Sequence, residues 1–124
     1  MRYLLDTSVL LFWAMARLDR LSPEQQSAVR DGRSEVYVSA ISAAEVRVKV
    51  SIGKLAAPPD LFDALGKHGF SELPLTIADT AALDTLPLLH RDPFDRLLVV
   101  QALAHGLTLI TSDERLKGYP VATL

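Results

Sequence analysis

Asp92-Pro93-Phe94-Asp95-Arg96-Leu97-Leu98-Val99-Val100-Gln101-Ala102-Leu103-Ala104-His105-Gly106-Leu107-Thr108-Leu109-Ile110-Thr111-Ser112-Asp113 carries a helix into a strand and ends on an acid. Asp92 is a natural cap, and Pro93 fits the first helical position because its missing N–H is not needed there. Gly106 suits the residue just past a helix end. A helix over Pro93–His105 followed by a strand over Thr108–Thr111 is the repeating unit of an α/β domain.

The same alternation extends in both directions. Towards the C-terminus, Glu114–Lys117 reads as one helical turn and Val121–Thr123 as an edge strand. Towards the N-terminus come a loop at Pro87–Arg91, a helix from about Ile77 to Leu86, a strand at Ser71–Leu75 and a helix at Asp60–His68 closed by Gly69. Pro58-Pro59 separates these from Ile41–Lys54, which is ambiguous. Val46, Val48, Val50 and Ile52 alternate with polar residues as in a strand. Ile41, Ala44, Val48, Ile52 and Leu55 share a helical face, and Ser42-Ala43-Ala44-Glu45 has the form of a capping box, so the segment reads as helix. Glu35–Ser39 and Arg2–Leu5 read as strands. Ser22-Pro23-Glu24-Gln25 opens a helix ending near Asp31-Gly32, and another runs from Thr7 to about Ala16. The expected architecture is one domain over residues 1–124, with a parallel sheet of about four to five strands covered by helices.

At 124 residues the chain is long enough to bury a core without staples. It has no cysteine, which excludes disulfides and thiolate metal sites, and its net charge of −2 confines any nucleic-acid footprint to a local patch. Arg2, the run Val9–Trp13 and Ala14-Met15-Ala16 loosely mimic a leader peptide, but Asp6 interrupts the apolar stretch. With no segment of membrane-spanning length, the expectation is a cytoplasmic protein.

Acids stand at the edges of the apolar runs. Asp6 closes the first strand, Glu45 lies a short step past Glu35–Ser39, Asp95 opens the long helix, and Asp113 closes the strand after it. In an open α/β sheet, ligands collect beyond the carboxyl ends of the strands. Each acid also has a plainer reading: Asp6 and Asp113 as caps, Glu45 as the capping-box partner of Ser42, Asp95 as a first-turn complement to the helix dipole. Even those readings gather the acids near one edge of the sheet. Two unit charges about 6 Å apart at an effective dielectric near 20 repel by roughly 2–3 kcal/mol. A shared divalent cation or raised pKa values would relieve that cost, and an all-oxygen donor set suits magnesium or manganese. Such a cation favours phosphodiester hydrolysis. No Gly-x-Ser-x-Gly elbow or phosphate-binding glycine loop points to another chemistry.

The motifs Leu4-Leu5-Asp6-Thr7-Ser8, Ser39-Ala40-Ile41-Ser42-Ala43-Ala44-Glu45-Val46, His90-Arg91-Asp92-Pro93-Phe94-Asp95-Arg96-Leu97-Leu98-Val99-Val100-Gln101-Ala102 and Leu109-Ile110-Thr111-Ser112-Asp113 resemble, in order, those of PIN domains. Among these the chain is most similar to VapC-type toxins, the ribonuclease halves of bacterial toxin–antitoxin pairs. The resemblance implies a PIN-like three-layer α/β/α fold and endoribonuclease activity dependent on Mg²⁺ or Mn²⁺. It also implies an RNA substrate, inhibition by a cognate antitoxin, and a homodimer. By motif position Asp6, Glu45, Asp95 and Asp113 are the implied acidic quartet, with Asp6 and Asp95 the foremost metal ligands. Glu45 and Asp113 would bind metal directly or through water.

Around these acids, Thr7 and Ser112 are candidates to orient them, and Asp92 reads first as a cap. Arg96 has two readings, a phosphate clamp or a partner of Asp92. Arg47, Lys49 and Lys54 are either a phosphate track or a solvated face. His90 reads as a loop residue and His105 as a helix-end cation. Phe12 belongs to the core, while Trp13 is a candidate for partner contact. Two other functions fit the size: a receiver-type phosphoacceptor domain and a catalytically silent PIN-like binding module. The receiver reading lacks paired acids after the first strand and a lysine closely following Thr108–Thr111.

Overall fold

The computed structural model describes all residues, 1–124, and follows the expected alternation closely. In chain order the elements are β1 (Arg2–Leu5), α1 (Thr7–Ala14), α2 (Pro23–Arg30), β2 (Glu35–Ser39), α3 (Ala40–Ser51), β3 (Phe70–Leu73), α4 (Pro93–His105) and β4 (Thr108–Ile110). Short 3-10 turns occupy Leu18–Arg20, Leu65–His68, Ala78–Ala82 and Glu114–Gly118. The four strands run parallel in the order β3-β2-β1-β4. Val121–Thr123 contributes a single parallel bridge, Leu109 to Thr123, where an edge strand was expected. The amide of Gln25 fastens that edge: its Nε2 donates to the carbonyls of Thr111 and Leu124, both at 3.0 Å.

Strand alternation sorts the core onto two faces. Tyr3 and Leu5 of β1 and Val36 and Val38 of β2 pack with Val9, Leu10 and Val29 of α1 and α2. Leu4 points the other way, into a cluster with Leu98, Val99, Val100 and Ala102 of α4. Ile110 and Leu109 divide in the same manner. Helices therefore cover both faces of the sheet, giving three α/β/α layers. Each fully buried leucine contributes about 1.5–3 kcal/mol, and a one-residue slip in β1 is disfavoured because it would carry Arg2 or Asp6 toward the packed positions.

Three details depart from the sequence reading. Ile41–Lys54 is helical, but α3 buries Ile41, Ser42, Glu45 and Val46 and leaves Ala44, Val48, Val50 and Ile52 exposed. Its cap is Ser39, whose side chain accepts from the Ile41 N–H, so Glu45 is free of capping duty. The segment expected as a helix over Asp60–His68 is a run of turns ending in the Leu65–His68 3-10 turn. The one expected over Ile77–Leu86 contains only the Ala78–Ala82 3-10 turn. Each of these segments buries too little to hold a helix: Leu61 in the first, Asp79 and Leu86 in the second. Gly66 adds about 1 kcal/mol against helix in the first.

Candidate active site

The sheet order decides where the acids fall. β1 lies between β2 and β4, and the chain builds outward through β2 and β3 before α4 returns it to the other side of β1. That reversal is a topological switch point, where parallel α/β sheets leave a crevice at the strand ends. Asp6 follows β1 directly, Thr111 and Asp113 follow β4, and α3 leaves the end of β2 with Glu45 in its second turn. Asp95 enters from the first turn of α4.

Asp6 is held rigidly. Its Oδ1 caps α1 by accepting from the Val9 N–H at 2.8 Å, and its Oδ2 accepts from the Thr111 hydroxyl at 2.5 Å. Burial pushes its carboxyl up to about 6; the Thr111 and Val9 hydrogen bonds oppose this, while the charges of Asp113 and Glu45 add to it. Keeping so buried a carboxylate ionised at neutral pH costs the fold roughly 3 kcal/mol.

Asp95 is also pushed up to about 6, first by burial and then by the charges of Asp92, Glu45 and Asp6, with His90 opposing. Glu45 is 5% exposed. Its Oε2 meets Lys49 Nζ at 2.7 Å, while its Oε1 is buried without a hydrogen-bond partner. Asp113 is the contrasting member. Hydrogen bonds from the Arg115 side chain, at 3.1 Å to each oxygen, hold its carboxyl below the ordinary range. It also caps its own turn by accepting from the Arg115 N–H.

The expected acids stand near one end of the sheet, where the charges of Asp113 and Glu45 reach Asp6 and those of Glu45 and Asp6 reach Asp95. Only Asp95 and Asp113 meet closely, around His90, and Asp6 and Asp113 keep their capping roles there. Asp92 caps α4, accepting from the N–H groups of Phe94 and Asp95. Thr7 acts indirectly, its buried hydroxyl donating to Ser42 Oγ at 3.0 Å and tying α1 to α3. Ser112 is exposed; the hydroxyl that orients Asp6 is its neighbour Thr111. Arg96 takes neither expected part, because its guanidinium donates to the carbonyls of Pro87, Leu83 and Leu86. Trp13 is half-buried, tilted on Phe70 with Arg30 over its ring.

His90 is the residue the sequence reading undervalued. It is buried, and its Nε2 lies 3.0 Å from Asp95 Oδ2 and 3.4 Å from Asp113 Oδ2. Its place two residues before Asp92 in the most specific motif was the available signal. Lys49, one of the three basic residues Arg47, Lys49 and Lys54, neutralises one oxygen of Glu45.

The arrangement offers carboxylate oxygens to a hard cation. A buried acceptor without a partner and two carboxyls that resist ionisation are what such a site should show when considered without its metal. Lys49 and Arg115 add positive charge at the rim, and both lie close enough to feel the charges of Asp92 and Asp95.

Comparisons with known proteins agree with this geometry. Ribonuclease VapC22 of Mycobacterium tuberculosis is 31% identical over 123 residues, an alignment covering 94% of this chain and 90% of the relative. VapBC2 from Rickettsia felis, solved bound to a DNA fragment from its promoter, superposes with a TM-score of 0.70 at 18% identity, covering 100% of this chain and 98% of that one. DNA-bound VapBC from Salmonella typhimurium gives 0.69 at 14% identity, covering 100% and 97%. These two structures share the fold. The statistical model of the PIN domain matches residues 3–121, and the chain belongs to the PIN domain family.

Proposed function

We propose that this chain is an endoribonuclease dependent on Mg²⁺ or Mn²⁺, the toxin of a toxin–antitoxin pair, acting in the cytoplasm as one PIN-like domain over residues 1–124. The observation that carries the metal-dependent reading is Glu45 Oε1, a buried acceptor with no partner beside Asp6 and Asp95, whose carboxyls are both pushed up to about 6. The likeness to a relative named as a ribonuclease supports RNA as the substrate.

Asp6, Glu45, Asp95 and Asp113 would hold the cation. When bound, it supplies positive charge to offset negative charge developing on a phosphoryl oxygen. The chain's own residues do the rest. Val9 N–H and Thr111 Oγ1 fix the Asp6 carboxylate before any ligand arrives, so little reorganisation is needed. Lys49 occupies one oxygen of Glu45 and leaves the other available. Arg115 keeps Asp113 ionised. Lys49 and Arg115 at the rim meet RNA phosphates, which makes binding fall with salt.

The antitoxin partner follows from the likeness to VapBC complexes. The apolar residues Val48 and Val50 of α3 and Ile52 just past its end, all exposed, suit an apolar segment of such a partner. A homodimer is the expected assembly.

The test is cleavage of a mixed structured RNA pool by the purified chain with Mg²⁺, Mn²⁺ or EDTA, beside Asp6→Asn. Metal-dependent fragments from the wild type alone support the assignment. If no pool RNA is cut and neither cation raises the melting temperature, the nuclease reading gives way to a silent binding module.

A further inference from the structure

His90 sits among the acids and does none of the tasks assigned to Asp6, Glu45, Asp95, Asp113, Lys49 and Arg115. Both ends of its position are fixed. Its backbone N–H donates to Tyr119 Oη at 2.9 Å, and its ring Nδ1 accepts from the Asp92 N–H at 3.2 Å. An amide N–H aimed at Nδ1 makes that nitrogen the acceptor, so the ring proton resides on Nε2. Nε2 lies within 3.4 Å of one oxygen of Asp95 and one of Asp113, yet forms no aligned hydrogen bond with either. With the His90 side chain 8% exposed, no bulk water substitutes for them. The N–H therefore stands between two carboxylates without being committed to either.

Those carboxylates come from separate elements. Asp95 stands on the first turn of α4, and Asp113 follows β4 and is paired with Arg115. Left to themselves two such charges separate. A donor lodged between them holds them at a common distance and directs their remaining oxygens away from itself. A protonated Nε2 offers no lone pair, so the ring is a poor metal ligand although three ligand-type atoms, from His90, Asp95 and Asp113, lie within 4.8 Å of one another.

We propose that His90 is a positioning residue that spaces Asp95 and Asp113 through its Nε2–H, and that it acts on the cation site from outside without ligating it. This rests on the metal-dependent reading of the site. Tyr119 and the Asp92 N–H are the supports that set the ring's orientation, in the manner of outer partners that orient metal ligands.

Mn²⁺ binding, read by calorimetry and by loss of the free-ion magnetic resonance signal, tests this without depending on cleavage. His90→Phe keeps a flat ring and removes the donor; His90→Gln restores an N–H near the Nε2 position. The expected result is a 10–100-fold loss of Mn²⁺ affinity in His90→Phe, with recovery to within about threefold of wild type in His90→Gln at a similar melting temperature. Nitrogen chemical shifts of the His90 ring, identified by their loss in His90→Gln, should report an Nε2–H ring before and after Mg²⁺ is added. Wild-type affinity in His90→Phe overturns the inference and leaves the metal reading standing. An Nδ1–H ring, or Nε2 losing its proton to the cation, overturns it in favour of direct ligation. Failure of the wild type to bind Mn²⁺ removes the metal reading and this inference with it.

Discussion

Two histidine–carboxylate contacts of nearly equal length have opposite characters. His90 Nε2 lies 3.0 Å from Asp95, and His105 Nε2 lies 2.9 Å from Asp79. Burial acts to raise both acids. At Asp79 it is outweighed by the hydrogen bond from the Thr76 N–H, by the Thr76 side chain and by His105, and the carboxyl falls below its ordinary value. At Asp95 the charges of Asp92, Glu45 and Asp6 add to burial, and the carboxyl rises to about 6. Asp79 is a satisfied pin that fastens the Ala78–Ala82 turn to the end of α4. Asp95 belongs to a site that calls for an additional positive charge. The distance to histidine distinguishes neither; the company does.

The sharpest way to break this contrast is to neutralise the acids of the site. Asp6→Asn and Asp95→Asn should each reduce RNA cleavage by more than the roughly 10–100-fold typical of losing an outer partner. The metal-free melting temperature of Asp6→Asn near pH 7.5 should stay level or rise, because a buried charge has gone. Retained cleavage in both clean preparations would sink the acidic quartet.

Acid titration should separate the two regions by sign. Unfolded, the carboxyls titrate near 3.8; folded and metal-free, Asp6 and Asp95 do so near 6. Between those values the folded chain binds more protons. Their stabilising contribution is therefore full below about pH 3.8 and is lost as pH rises through about 6. Protons compete with the cation for the same oxygens, so the Mn²⁺-induced rise in melting temperature should be large near pH 7.5 and shrink as pH falls through 6. A metal response independent of pH would contradict it. Asp79 behaves oppositely: its contribution is present above 3.8 and is lost as pH falls through its lower folded value.

Asp79→Asn should accordingly lower stability at neutral pH by about 1.5–3 kcal/mol, the range for hydrogen bonds to a charged group, with kcat unchanged once folded. A lost kcat at full stability would show the pin to be part of the site. The smallest expected effect is that of Tyr119→Phe. Removing the hydroxyl that receives the His90 N–H should cost about 1 kcal/mol by denaturant melting, along with a weakening of Mn²⁺ binding smaller than that of His90→Phe.

The sequence was most readable where local chemistry and packing agree. The Asp92-Pro93 start and Gly106 end mark α4 to the residue, and the apolar runs mark β1, β2 and β4. It misled where apolar residues turned out not to be a buried face. Val48 and Ile52 are exposed on α3, and Ile77 is exposed before a 3-10 turn, so periodicity gave a face that packing does not use. The acids were legible because each follows a strand end or opens a helix. Their supports were not: Thr111 reaches Asp6 across 105 positions and Tyr119 reaches His90 across 29, contacts that no local pattern encodes.

The bond from Thr111 to Asp6 also bears on the timing of synthesis. β1 is made long before the strand that pairs with its far side and the hydroxyl that orients its acid, which lies 105 positions further along the chain. Contacts so distant along the chain form late. A nascent chain still short of residue 111 lacks the hydroxyl that orients Asp6, so the finished site does not exist until that distant segment has been made.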